Sequence, residues 1–347
     1  MQTIRARRVF ARPIAPGFCA LLFAMVLSAA EPAGTEIVAQ RSYRADANVV
    51  LFGITVFSRS DVGGGFARLV ETSSGSNGTV RLLFVSGSRP DRAHGLNRMG
   101  YIEESVTETN ARPSHADYFG FMTASGEDSL ADARKALHGP SQGEVPFVAS
   151  LGEIDGANAR HTVRHVALPA SLRWTNAQQL LGVVREDLNG PGAGSGQANL
   201  NHGERPGTFL YTVLTMERSP ARTNDATFVH NGKLFRLHAV KRADEKMGAQ
   251  FVGDHLIASP QDAVDLAGLI RNAATGTETT FRVWFDRTSP NLLPLRFEFQ
   301  PKSYLRLAFE ALPAEDPATV RAFTEPSSAP AISSSHIISP SASSSFR

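Results

Sequence analysis

The chain has 347 residues, of which 42% are hydrophobic and 20% charged, with a formal net charge of +2. This is the composition of a globular protein, long enough for one large or two ordinary domains, and not that of a disordered chain. A balance so near neutral gives no electrostatic case for a nucleic-acid partner.

The first residues read as a targeting segment. Arg5, Arg7, Arg8 and Arg12 precede an apolar core over Phe18 to Leu27, followed by the small residues Ser28, Ala29 and Ala30. That order predicts a signal peptide over residues 1–30, cleaved before Glu31, and a periplasmic or secreted protein. The core is shorter than the ~17 residues a membrane span needs, so no transmembrane segment is expected after cleavage. Arg7-Arg8-Val9-Phe10 leaves the general and twin-arginine routes both open. Loss of these residues removes four Arg and no acid, turning +2 into −2. It also removes Cys19, the only cysteine. The mature chain is thus expected to have no disulfide, thiolate metal site or Cys nucleophile.

Residues 31–323 predict a β-rich domain, with 189–207 as the place where it could divide into two sub-sheets. Residues 48–59 form a β-branched and aromatic run, read as one strand. Asp61 to Gly65 reads as a tight turn. Strands follow over Phe66–Thr72 and Thr79–Val85, with Asn77-Gly78 as their hairpin turn. Tyr101–Thr109 and Ala116–Thr123 read as another strand pair. Asp128–Leu137 predicts a short helix, and Phe147–Leu151 and Thr162–Leu168 predict strands.

Asn176–Leu188 is the best helix, with Ala177, Leu180, Leu181, Val184 and Leu188 on one face, Thr175 as cap, Gln178 completing a capping box and Gly190 as stop. Residues 189–207 read as a long Gly/Asn loop expected to be disordered. Thr208–Met216 and Phe251–Ile257 read as strands. Ala226–His230 and Leu234–Val240 pair across Asn231-Gly232-Lys233. Ser259–Asp262 reads as a short helical turn, followed by a hairpin turning at Thr275-Gly276. From Thr324 the chain is rich in Ser and Pro and predicts a disordered tail.

The clearest pattern lies near the C-terminus. Phe281, Val283 and Phe285 alternate with Arg282, Trp284 and Asp286. Leu295, Phe297 and Phe299 alternate with Arg296 and Glu298, and Leu305, Leu307 and Phe309 with Arg306, Ala308 and Glu310. A period of two assigns one apolar and one charged face to three antiparallel strands. Arg282, Arg296, Glu298, Arg306 and Glu310 are expected as cross-strand ion pairs on a solvated face.

Candidate chemistry is sparse. His161 and His165 lie in a β-like run, about 13 Å apart by strand rise, too far to share a zinc ion. Gly194-Ser195-Gly196 lacks the spacing and context of a nucleophile elbow. Glu103, Glu104 and Glu108 could form an acid–base pair, but on a half-exposed strand they read as a solvated face. No dinucleotide fingerprint or P-loop is present. No catalytic residue, metal site or cofactor is predicted.

Val283-Trp284-Phe285-Asp286 followed by Leu293-Pro294-Leu295-Arg296-Phe297-Glu298 resembles a hairpin of uncharacterised exported bacterial proteins and of the periplasmic lipoprotein-carrier family. The resemblance implies a curved, incompletely closed antiparallel sheet around helices that shelters acyl chains. It implies that Phe281, Val283, Phe285, Leu295, Phe297 and Phe299 face inward and bind the ligand. The expected fold is mainly β, a curved antiparallel sheet or incomplete β-barrel with two or three short helices. The expected function is non-enzymatic binding of a hydrophobic small molecule, lipid or envelope-associated ligand. The alternatives are an envelope scaffold with a filled core and, third, a secreted hydrolase.

Overall fold

The computed structural model describes residues 35–324, apart from 52–53, 94, 96, 111, 124–143, 157, 170, 191–193, 199–205, 290–291 and 303–304. The expected signal peptide, the helix expected over Asp128–Leu137 and the tail beyond Thr324 lie outside the described residues.

Among the described residues, fourteen strands form one antiparallel sheet. They are β1 (Thr35–Leu51), β2 (Ile54–Ser74), β3 (Asn77–Ser88), β4 (Met99–Thr109), β5 (Arg112–Thr123), β6 (Glu144–Asp155), β7 (Asn158–Pro169), β8 (Gly194–Ala198), β9 (Thr223–His230), β10 (Lys233–Ala243), β11 (Ala263–Asn272), β12 (Glu278–Asp286), β13 (Arg296–Lys302) and β14 (Leu305–Ala311). Neighbours in the sheet are neighbours in sequence except at one junction: β1 pairs with β14, Tyr43 opposite Ala311 and Val49 opposite Leu305. The two halves of the chain therefore meet at the sheet's middle, and β8 and β9 form its edges. Among the described residues four α-helices accompany it: α1 (Leu181–Asn189), α2 (Phe209–Arg218), α3 (Glu245–Gly253) and α4 (Pro317–Thr324). The fold is mainly β and nearly closed into a barrel.

The near-closure is made by side chains at a turn. Asn231 and Gly232 join β9 to β10 with φ of 48° and 69°, the two left-handed residues that a tight hairpin turn requires. This turn reaches β6 and β7. Ser150 Oγ donates to Asn231 Oδ1 at 2.6 Å. Gly232 lies so close to His161 that a Cβ there would sit 2.2 Å from the ring.

Period-two alternation gives the sheet two apolar faces, each covered. On the outer face, Phe66, Val85, Tyr101, Phe119, Phe121, Phe147 and Val166 pack under Trp174, Leu180, Val184 and Phe323. These come from α1, the 3-10 turn before it (Trp174–Leu180) and α4. Further along, Trp284 and Leu295 pack with Phe251 of α3 and with Ile257. On the inner face, Tyr43, Leu69, Leu82, Val106, Tyr118 and Phe309 cluster around Tyr211 and Leu214 of α2.

Several sequence expectations are corrected. Of residues 48–59, 48–51 end β1 and 54–59 begin β2, the two paired antiparallel, so the run is not one strand. Asp61 to Gly65 is no turn. It lies inside β2, where Gly63 to Gly65 pair with both β1 and β3, and its glycines make room for a ring. A Cβ on Gly64 would lie 2.9 Å from Trp174 Cζ2, and one on Gly87 opposite it 2.5 Å from Trp174 Cβ. Glycine in a strand here marks close approach of another group. The β2–β3 turn falls at Gly75-Ser76, not Asn77-Gly78: Ser74 pairs with Asn77 and Gly75 takes φ 60°.

The best predicted helix starts as a 3-10 segment without a side-chain cap. Gln178 donates to the Phe323 carbonyl at 2.9 Å and closes no capping box. Within the predicted loop, 194–198 pair with β7 as β8. Thr208–Met216 and Phe251–Ile257, both read as strands, fall in α2 and at the end of α3 with its following turn.

Candidate functional site

The concave face is the place to look for a site, and α2 occupies it. Its sequence, FLYTVLTMER, is apolar enough for a strand, but as a helix it can present different side chains to both flanks of a curved sheet. Tyr211 and Leu214 face the β1–β7 side of the interior. Val213 and Met216 join Phe228, Leu237, Leu266, Phe281, Val283 and Phe285 on the β9–β12 side. Each fully buried side chain of this size stabilises by about 1.5–3 kcal/mol.

Polar contacts fasten the two ends of α2. At its start, Glu104 of β4 accepts from Thr208 Oγ1 at 2.5 Å, Leu210 N at 2.9 Å and Tyr211 N at 2.9 Å. Those amides belong to the first helical turn, which has no intrahelical partner for them and favours a negative group. Glu104 is 1% exposed, so the expectation of a solvated carboxylate is corrected. Burial raises its pKa, and the hydrogen bonds it accepts offset only part of that shift. Next to it, Tyr211 Oη donates to Glu108 Oε1 at 2.6 Å. At the far end, Lys241 Nζ donates to the carbonyls of Glu217 at 2.6 Å and Ser219 at 2.5 Å, and Arg218 pairs with Glu71. Glu103, one residue from Glu104, points the other way and pairs with Arg185 of α1 at 2.7 Å. The three acids are thus divided between two faces and do not converge as a catalytic pair.

The six residues expected to line a binding face divide as well. Phe281, Val283 and Phe285 are buried against α2. Phe297 lies in an aromatic ladder, stacked on Phe309 at 4.6 Å and edge-on to Phe84 at 5.0 Å and Tyr43 at 5.5 Å. Leu295 departs from the row. It precedes β13, and it packs with Trp284 and Phe251 under α3 instead of joining Phe285. Phe299, at the far end of the row, remains 38% exposed. The aromatic row is continuous with α2 and the ladder.

The charged face of the meander is only partly wet. Asp265 is fully buried and accepts from Arg242 Nε at 2.8 Å and from Arg282 Nη2 at 2.7 Å. Arg282 also lies over the Trp284 ring, 4.4 Å from its centroid. Glu310, 4% exposed, is shared by Arg44 and Arg296. Asp244, the N-cap of α3, accepts from Met247 N at 3.1 Å and from Trp284 Nε1 at 3.1 Å. The helix thereby sits on this face and shields it, which the alternation of charges did not announce.

His161 lies on β7, as expected, against the β9–β10 turn. Among the described residues, no group of three or more His, Cys, Asp or Glu side chains is placed to hold a metal ion. The exposed pairs His115–Asp117 and His238–Asp225 lie on β5 and across β9–β10. An open depression is lined by Arg236, Arg271 and the turn Ala273–Gly276. Among the described residues no helix is long and apolar enough to cross a membrane.

No protein-family model and no curated protein matches the chain. A solved structure described as a beta-barrel-like protein of domain of unknown function DUF1849 from Brucella abortus shares 9% sequence identity with it. The alignment covers 79% of this chain and 94% of that chain at a TM-score of 0.38.

α2 is the functional element that sequence reasoning missed. Its signals were present: Thr208 before the run, Tyr211 and Leu214 three apart, and Pro220 just past the end.

Proposed function

We propose that this chain is a non-enzymatic, exported scaffold protein of the cell envelope, whose sheet is filled by its own side chains and by α2. The observation that carries the reading is α2 itself: Val213 and Met216 occupy the surface of Phe281, Val283 and Phe285, where an acyl chain would otherwise lie. Export is supported by the arginines, apolar core and small residues of 1–30. Any hydrophobic partner is then met at the sheet's exposed margin.

A second reading, sheltering of a hydrophobic ligand on the concave face, is favoured by the way α2 is held. Its polar fastenings lie at its two ends, and between them it is held by apolar packing that a hydrophobic ligand would replace, so the helix could leave as a unit and uncover the aromatic row. Native mass spectrometry of the purified protein, with a hydrophobic dye titration, separates the two. The scaffold reading expects no retained lipid and no saturable dye site. A stoichiometric co-purifying lipid overturns it in favour of the carrier.

A further inference from the structure

The start of β2 runs past the end of β3. β3 ends at Ser88 opposite Gly63, so Ile54 to Ser60 continue without a ladder partner on that side, while β1 on the other side stays paired with β14 as far as Val49. Seven residues of strand reach about 20 Å. The root is fastened: Arg89 N donates to the Val62 carbonyl at 2.7 Å, and Asp61 pairs with Arg89 at 2.7 Å and Arg92 at 2.5 Å.

The chemistry of this projection differs from that of the strands behind it. From Ala47 to Ser58 the sequence carries no charged residue. Alternation is lost as well. Val56 and Phe57 are successive strand residues, so they point to opposite faces, yet both are apolar and are 55% and 56% exposed. A strand that docks against a folded partner buries one face and keeps the other polar. A hairpin end that is apolar on both faces suits a medium that surrounds it. An arginine stands in the strand row where the uncharged stretch begins, Arg306 opposite Asn48. A cation at that level matches the anionic phosphates of a lipid headgroup layer, with Val56 and Phe57 beyond it.

We propose that the start of β2, at the end of the β1–β2 hairpin, inserts into the surface of an anionic lipid bilayer, with Val56 and Phe57 below the headgroups and Arg306 among them. The proposal names the surface that the envelope scaffold would hold, and so rests on that reading. It does not depend on whether the lumen is filled.

The test uses the full chain and vesicles of phosphatidylcholine with phosphatidylglycerol. Co-sedimentation of wild type is compared with V56D/F57D, whose altered side chains are exposed and should leave the melting temperature unchanged. Each lost apolar contact is worth about tenfold in partition, so about a hundredfold loss is expected. F57W, read against the buried Trp174 and Trp284, should be quenched by lipids brominated high on the acyl chain. R306Q should weaken the preference for anionic over neutral vesicles.

Vesicle binding unchanged in V56D/F57D, with no quenching at position 57, assigns binding to the N-terminal apolar segment and overturns the proposal. So does a dimer in light scattering that V56D/F57D abolishes, because the tip would then be covered by a second copy. Failure of vesicle binding with no lipid in native mass spectrometry sinks this proposal and leaves the scaffold reading standing.

Discussion

Glu104 on β4 and Tyr211 on α2, 107 positions apart in the chain, are joined by a 2.9 Å bond from the Tyr211 amide to the buried carboxylate. With the bonds from Leu210 N and Thr208 Oγ1, this is how the sheet holds the helix that fills it. Glu104→Ala would leave these donors without a buried acceptor, at about 1–3 kcal/mol for each group left unmatched. The expected result is destabilisation of at least about 3 kcal/mol in urea unfolding, together with new hydrophobic-dye binding as α2 loosens. Glu104→Gln keeps one carbonyl acceptor and should cost less. Because burial raises the Glu104 pKa, its contribution is complete in acid and declines as pH rises through the folded value. The stability gap between wild type and Glu104→Gln should narrow in the same direction.

His230, the last residue of β9, titrates in the opposite sense. Burial pulls its pKa from 6.5 down to about 4, so the fold holds it neutral where the unfolded chain would begin to charge it. Its stabilising contribution is present above pH 6.5 and is lost as pH falls toward 4. The slope it adds cannot exceed one proton, about 1.4 kcal/mol per pH unit. Unfolding free energies measured from pH 7.5 to 4.5 should therefore fall more steeply for wild type than for His230→Asn. Parallel curves would show that the imidazole is not held neutral.

The strands were legible because a half-buried sheet repeats its own pattern. Phe281, Val283 and Phe285 alternate with charges, and Asn231-Gly232 has the chemistry of a two-residue hairpin turn. What was not legible was decided by contacts between distant residues. Thr208–Met216 has strand-like composition, and it is helical because Glu104 caps it and both flanks of the interior need apolar side chains. Asp61 to Gly65 has the composition of a turn, and it is strand because Trp174 lies over it. The same limit applies to the site. Alternation identified Phe281, Val283 and Phe285 as one face, but nothing local says that α2 lies on it or that Leu295 turns to the other side.

Glycines at two positions should respond to alanine with opposite signs. At Gly87 a Cβ would stand 2.5 Å from Trp174 Cβ and 2.7 Å from the Arg98 carbonyl, and neither neighbour is a flexible tip. Gly87→Ala is expected to destabilise by about 1–3 kcal/mol through overpacking. Gly182 lies on the exposed side of α1 with nothing within 4 Å of its Cβ position. Gly182→Ala should stabilise by about 0.5–1 kcal/mol, since alanine loses less backbone freedom in a helix. Thermal unfolding of the two variants reads both signs, and a stabilised Gly87→Ala would contradict the packing of Trp174 on β3.

Asp265 tests whether the charged side of the meander is structural. It is fully buried, and Arg242 and Arg282 both donate to it, while Arg282 also covers Trp284. Removing the acid leaves two guanidinium groups that still reach solvent, Arg242 55% and Arg282 37% exposed. Asp265→Ala is therefore expected to cost about 1–3 kcal/mol, the range for charge-assisted hydrogen bonds lost at a buried carboxylate. Arg92→Ala is the matched control, because in its pair with Asp61 both side chains reach solvent, 55% and 30% exposed. An exposed pair contributes less than about 1 kcal/mol, so that variant should melt close to wild type. If the two substitutions cost the same, Asp265 is an ordinary surface charge, and the seating of α3 over Trp284 owes nothing to it.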